Sequence, residues 1–141
     1  MYTFRARGHP NIVAGHATTL MVTRDERLTR RGDCVVAVGA EASLVDLLEE
    51  MKAEARSSDA TVSLTIEVGG ESFTVKGRGH PSLTYSSGLD MVARRSRYTC
   101  GRTLMVESDA AASDIPRSIA WLLRSPSTEI KVTLRVKGRS P

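Results

Sequence analysis

The sequence predicts a mainly β fold, a β-rich α+β arrangement. Two β-β-β-α-β repeats, with one helix per repeat, build a pseudo-twofold, jelly-roll-like β-sandwich. Three observations point there. The tetrapeptide Arg-Gly-His-Pro stands at Arg7-Gly8-His9-Pro10 and again, 71 residues later, at Arg78-Gly79-His80-Pro81. The alternating run Val62-Ser63-Leu64-Thr65-Ile66-Glu67-Val68 is echoed 68 residues later by Ile130-Lys131-Val132-Thr133-Leu134-Arg135-Val136. Val36-Ala37-Val38 returns at that same interval as Leu104-Met105-Val106, so copy two is three residues shorter between its early and late parts. A half of about 70 residues buries only a marginal core and is better stabilised against its twin. The expected unit is therefore one domain over residues 1–141, with repeats at 3–70 and 72–138.

Along copy one, Phe4 to Arg7 reads as a short strand that Gly8-His9-Pro10 interrupts. Proline fixes its φ and lacks a ladder donor, so the bend is held firmly. Ile12-Val13 is expected to resume extended structure. The β-branched run Thr18 to Thr23 predicts a strand. Arg24 to Asp33 is a charged loop, and Cys34 to Val38 reads as a strand buried on both faces. Ser43 and Asp46 have capping-box spacing. Leu44, Leu47, Leu48, Met51 and Ala55 then recur at helical intervals as one apolar stripe. Val62 to Val68 alternates as a half-buried strand.

Copy two repeats the plan. Phe73 to Arg78 and Leu89 to Arg94 read as strands, followed by a basic loop and a strand at Thr103 to Val106. A helix from about Asp114 to Arg124 accepts Pro116 in its first turn. Ile115, Ile119, Leu122 and Leu123 form its apolar stripe, and Trp121 is counted with them as core. Ile130 to Val136 is the last strand.

No apolar stretch approaches the roughly 18 residues of a membrane span, and the N-terminus carries no signal-peptide pattern. A cytoplasmic protein without membrane partners is expected. Its two cysteines, Cys34 and Cys100, are then expected as reduced thiols. The net charge of +4 is unevenly shared: residues 1–70 hold 8 Lys/Arg against 10 Asp/Glu, and residues 71–141 hold 12 against 6. The second half is thus the candidate anion-facing surface.

Three groups of residues could carry chemistry. His9 and His80 sit in equivalent bends, and a twofold could bring them together. With His16 they are the candidate metal ligands for a divalent ion, since neutral imidazole binds such metals well. With Asp33 and Asp90 they are the candidate catalytic set. The alternative is that Gly-His-Pro is a structural corner whose ring bonds a backbone carbonyl. Second, Arg94, Arg95, Arg97 and Arg102 fill the copy-two loop, and Arg7 and Arg78 precede the bends. Guanidinium suits bidentate recognition of phosphate, so these are the candidate ligand-binding residues. In copy one, Arg24, Arg27, Arg30 and Arg31 are partly balanced by Asp25, Glu26 and Asp33. Third, Cys34 and Cys100 are either small packed residues or, beside Arg102, an activated thiol. No Gly-x-Gly-x-x-Gly or Walker-type loop is present.

Arg7-Gly8-His9-Pro10, His16 with Thr18-Thr19, Gly32-Asp33-Cys34, Gly79-His80-Pro81, Asp90 and Cys100-Gly101-Arg102-Thr103-Leu104 together carry a resemblance. The chain resembles, over almost its whole length, an uncharacterised, mostly archaeal family of domains of unknown function, family three-seventy-one. The resemblance implies a β-sandwich of jelly-roll type with added helices, and no established activity. Where that family tends to place another histidine near Ser86-Ser87, this chain has serines.

Two functions are expected from these residues. The first is a small binding module that holds an anionic partner, nucleic acid or a phosphorylated ligand, on its arginines. The alternative is a metal-binding or acid–base enzyme around the paired histidines. A plain interaction domain using its sheet edges has no positive sequence feature.

Overall fold

The computed structural model describes residues 1–138; residues 139–141 of the expected domain lie outside the described part. Eight strands form two four-stranded sheets. The strands are β1 (Tyr2–Arg7), β2 (Thr19–Thr23), β3 (Val35–Ala37), β4 (Thr61–Val68), β5 (Glu71–Arg78), β6 (Asp90–Arg94), β7 (Thr103–Met105) and β8 (Glu129–Lys137). The helices are α1 (Glu49–Ala55) and α2 (Arg117–Leu123). Each repeat contributes four strands and one helix in the order β-β-β-α-β, as the duplication predicts.

The first sheet has the order β1-β8-β4-β5 and the second β3-β2-β6-β7. The first is antiparallel throughout. In the second, β2 and β6 pair antiparallel, but the flanking β2/β3 and β6/β7 pairs run parallel. Thr65 faces Thr133 across β4 and β8, and Met21 faces Val92 across β2 and β6. Each pair joins repeat-equivalent residues, so a pseudo-twofold axis passes through the middle of both sheets. Every sheet therefore needs strands from both copies.

Alternation does the packing. Val62, Leu64, Ile66 and Val68 point inward with Ile130, Val132 and Leu134, and meet Leu20, Val22, Met91 and Ala93 of the second sheet in one core cluster. Met51 and Ala55 of α1 and Ile119, Ala120 and Leu123 of α2 join it. The outward face of the first sheet keeps its threonines: Thr65 and Thr74 share a hydroxyl hydrogen bond of 2.8 Å. Gly69 and Gly70, at φ 55° and 81°, close the two-residue β4–β5 hairpin. That left-handed pair is the conformation such a turn demands.

Four expectations are corrected. The continuous helix from Ser43 is instead a single 3-10 turn at Leu44–Asp46 and then α1. The Asp46 carboxylate accepts the Ser43 N–H at 2.9 Å and closes that turn. Leu47 and Leu48 then run extended, and Leu48 leaves the apolar stripe with 50% of its surface exposed. In copy two Pro116 lies just before α2 rather than in its first turn, because the residue ahead of a proline avoids the helical region, and Ile115 has ψ 126°. Ile12-Val13 forms no strand; the Ile12 N–H turns back to the His9 carbonyl at 3.0 Å. Trp121 is not core: it is 72% exposed. No helix among the described residues is long and apolar enough to cross a membrane.

Candidate functional site

The two Gly-His-Pro bends are seals on helix ends, and they act across the repeats. The His9 N–H donates to the Leu123 carbonyl at the end of α2, and the His80 N–H to the Ala55 carbonyl at the end of α1, both at 2.9 Å. The last carbonyls of a helix have no partner within it, so each copy satisfies the other's helix. A Cβ on Gly8 would collide with the carbonyl oxygens of Leu123 and Ser125, and one on Gly79 with those of Ala55 and Ser57. Only glycine lets the backbones approach so closely. Each ring then braces its own bend: Nδ1 of His9 accepts the Asn11 N–H and Nδ1 of His80 the Ser82 N–H, both at 3.0 Å. The structural-corner reading foresaw a carbonyl partner; the ring instead accepts an amide.

His16 plays a third such role. Its Nδ1 accepts the N–H groups of Thr18 at 3.2 Å and Thr19 at 3.1 Å, at the start of β2. At the equivalent point of copy two the Ser87 hydroxyl accepts from Leu89 at 3.1 Å and Asp90 at 3.0 Å. Serine thus performs in copy two what histidine performs in copy one. The Asp33 carbonyl takes the N–H groups of Gly15 and His16. Asp90 lies on the outer side of β6, where its nearly buried carboxylate accepts from Arg102 at 3.0 Å. The structure ties His9 and His80 to different helices. Among the described residues no group of three or more His, Cys, Asp or Glu is placed to hold a metal ion.

The arginines of copy two are organised by their neighbours. Arg94 donates from Nε to the Thr103 hydroxyl at 2.9 Å, reaches the Cys100 sulfur at 3.5 Å and lies 4.9 Å over the Tyr98 ring. Arg95 is paired with Asp114. That pairing joins the Ala111 N–H in holding the Asp114 carboxyl below its ordinary pKa, the backbone bond being the larger cause. Arg78 and Arg97 converge on the two oxygens of one carboxylate, Glu107, at 3.5 Å and 3.6 Å. Arg7 occupies the equivalent place in copy one and lines a groove with Glu26 and Gly39. There the positions of Arg97 and Glu107 are held by Glu26 and Gly39, so the charge pattern is not repeated.

None of the ion pairs among the described residues involves Arg24, Arg27, Arg30 or Arg31. Asp25 instead accepts the Arg27 backbone N–H.

The cysteines differ as their surroundings do. Burial pushes the Cys34 thiol up, against a hydrogen bond with Thr19. Burial also opposes ionisation of Cys100, but the Arg102 backbone N–H, the Thr103 hydroxyl and the Arg94 guanidinium together bring it down to about 7. Asp90 holds Arg102 above its usual value, its hydrogen bond being the largest cause.

The sequence reading missed one group. Ile119, Ala120 and Leu123 are the buried side of α2, which puts Arg117, Trp121 and Arg124 together on its open side. The signal was helical phase: Trp121 is four residues from Arg117 and three from Arg124.

These features define a mainly β, internally duplicated domain with cross-sealed helices and a basic, arginine-rich surface. The chain belongs to the DUF371 family, a domain of unknown function, whose model matches residues 4–137. It is also similar to an uncharacterized protein of Methanocaldococcus jannaschii, with 38% identity over 123 residues, covering 87% of this chain and 90% of that protein.

Proposed function

We propose that this chain is a small binding module for an anionic partner, nucleic acid or a phosphorylated ligand, held by the arginines of copy two. The convergence of Arg78 and Arg97 on Glu107 carries the reading. Two guanidinium groups already face one oxyanion, one Nε to each carboxylate oxygen at 3.5 Å and 3.6 Å, as ion pairs longer than hydrogen bonds, and guanidinium suits phosphate oxygens in the same way. Both arginines are mostly exposed and Glu107 is 40% exposed, so this surface pairing is weak enough for a competing anion to replace it. Arg94, in no ion pair among the described residues, adds charge at the start of the same loop, while Arg95 and Arg102 would have to exchange the carboxylates of Asp114 and Asp90 for the partner's anion. The histidine-centred alternative gains no support from bends whose rings are engaged with their own backbone.

The test is an anisotropy titration with a labelled polyanion at two salt concentrations. Affinity should fall steeply with salt, by about one power of the salt concentration per contacting arginine. Binding no tighter than that of a control protein of equal net charge overturns the proposal.

A further inference from the structure

The lone tryptophan stands where a core residue was expected to be. Trp121 is 72% exposed on the open side of α2. It borders a groove of about 310 Å³ lined also by Asn11, Val13, Arg30, Arg117 and Arg124, with no carboxylate in its lining. A second groove, about 340 Å³, lies against Trp121, Arg124 and Ser125. The Arg124 guanidinium is 6.0 Å from the indole centre and donates to the Pro10 carbonyl at 3.4 Å. Arg30 and Arg117 form no ion pair among the described residues.

The duplication supplies an internal comparison. At the equivalent positions of α1, Glu49 stands for Arg117, Ala53 for Trp121 and Arg56 for Arg124. Arg56 is turned in to bond the Leu83 carbonyl at 3.2 Å, and Glu49 pairs with Lys52. The scaffold therefore keeps an arginine at the third place, where it bonds a backbone carbonyl in both copies, but needs neither a ring at the Trp121 place nor a cation at the Arg117 place. Exposing a large indole is unfavourable in itself, and placing three cations around it adds self-repulsion. A partner with a flat aromatic group and negative charge relieves both. Nucleobases stack on an indole and phosphodiesters pair with guanidinium, which is how single strands are held without reading their sequence.

We infer that the Trp121–Arg30–Arg117–Arg124 groove is a binding site for single-stranded nucleic acid, with a base stacked on Trp121 and the backbone phosphates on the arginines. This goes beyond the anionic-partner reading, resting on it only for the sign of the partner's charge, and uses none of the copy-two loop arginines.

Trp121 is the single tryptophan of the chain, so its emission reports this groove directly. The full chain is titrated with oligouridylate, with oligothymidylate, with an abasic sugar-phosphate strand of the same length, and with a duplex. Expected is saturable quenching by the first two and little by the abasic strand or the duplex. In anisotropy Trp121→Ala should weaken oligouridylate binding about tenfold, Trp121→Phe should restore most of it, and both should melt like the parent. Arg117→Ala should lower the salt dependence by about one contact. Equal quenching by the abasic strand, or unchanged binding by Trp121→Ala, overturns the inference while leaving charge-driven binding at Arg78 and Arg97 standing. A Trp121 emission that shifts with protein concentration alone would assign the groove to a second copy and also overturn it. If no polyanion binds, both readings fall.

Discussion

The His9 amide is bonded to the Leu123 carbonyl at 2.9 Å, although these residues belong to different copies of the repeat. His80 and Ala55 repeat the bond with the copies exchanged. The recurring Arg-Gly-His-Pro is thus explained by a structural need that arises twice. Each helix ends inside the other repeat's bend, and a tight bend with no Cβ is the only shape that fits there. Helix ends and sheets are thus shared between the two halves.

Gly8→Ala and Gly79→Ala should each destabilise the chain by about 3 kcal/mol, since a methyl group must push aside two backbone carbonyls. For a chain of this size that lowers Tm by roughly 10 °C. Symmetry makes the two losses similar. Thermal melting checks this, and parent-like Tm values in either variant would show that the bend does not seat against the helix.

His16 and Ser87 accept backbone amides at equivalent strand starts. His16→Ser should therefore stay within about 0.5 kcal/mol of the parent, while His16→Ala loses the acceptor and costs about 1 kcal/mol. Urea unfolding separates them. Equal losses for the two variants would mean that the imidazole has a role beyond capping the turn.

The sequence made the repeat, the strand alternation and the β-β-β-α-β order legible, because periodicity and duplication leave marks in the order of residues. Strand pairing across copies was not legible, since Thr65 opposite Thr133 is a fact of three dimensions. The helix from Ser43 was overextended because Leu44, Leu47, Leu48 and Met51 fit helical spacing, although Leu47 and Leu48 run extended. Trp121 was misplaced because its hydrophobicity was weighed without its phase against Arg117 and Arg124. The Arg clusters were visible as composition, but which arginines meet carboxylates depends on the fold. Glu107, held at φ 51° between two arginines, was invisible for that reason.

Cys100 should be the more reactive thiol. Its folded value of about 7 lies below the ordinary 9.0, so iodoacetamide alkylation of Cys34→Ser protein should rise through pH about 7. The thiol of Cys100→Ser protein, Cys34, should react only at higher pH, since burial raises it. Arg94→Gln should move the Cys100 profile upward. The sign for stability follows: a depressed thiol favours the fold fully above its unfolded value near 9 and loses that contribution as pH falls through about 7. Identical profiles for the two cysteines would contradict the hydrogen bonds assigned to Cys100.

Glu107→Gln should strengthen polyanion binding about fivefold at low salt, because it removes the negative charge that Arg78 and Arg97 share and frees both. Arg97→Ala should weaken binding and reduce the salt slope by about one. Salt-dependent anisotropy reads both. A Glu107→Gln variant that binds no better would place the anion elsewhere on the chain.

Neither half should fold by itself as a monomer. Cutting at the Gly69–Gly70 turn would leave β1 and β4 without β8, which lies between them, and would strip β5 of β4. It would also separate each helix from the bend that closes it. A half of about 70 residues with an exposed central sheet edge has too little buried surface to offset its chain entropy. Circular dichroism of residues 1–70 and 71–141 prepared separately should show little ordered β structure. An equimolar mixture should recover it cooperatively, because every missing contact lies on the other half. A half that melts cooperatively as a monomer would show that the cross-repeat pairing of β4 with β8 is dispensable, and the duplicated bends would then need another reason to exist.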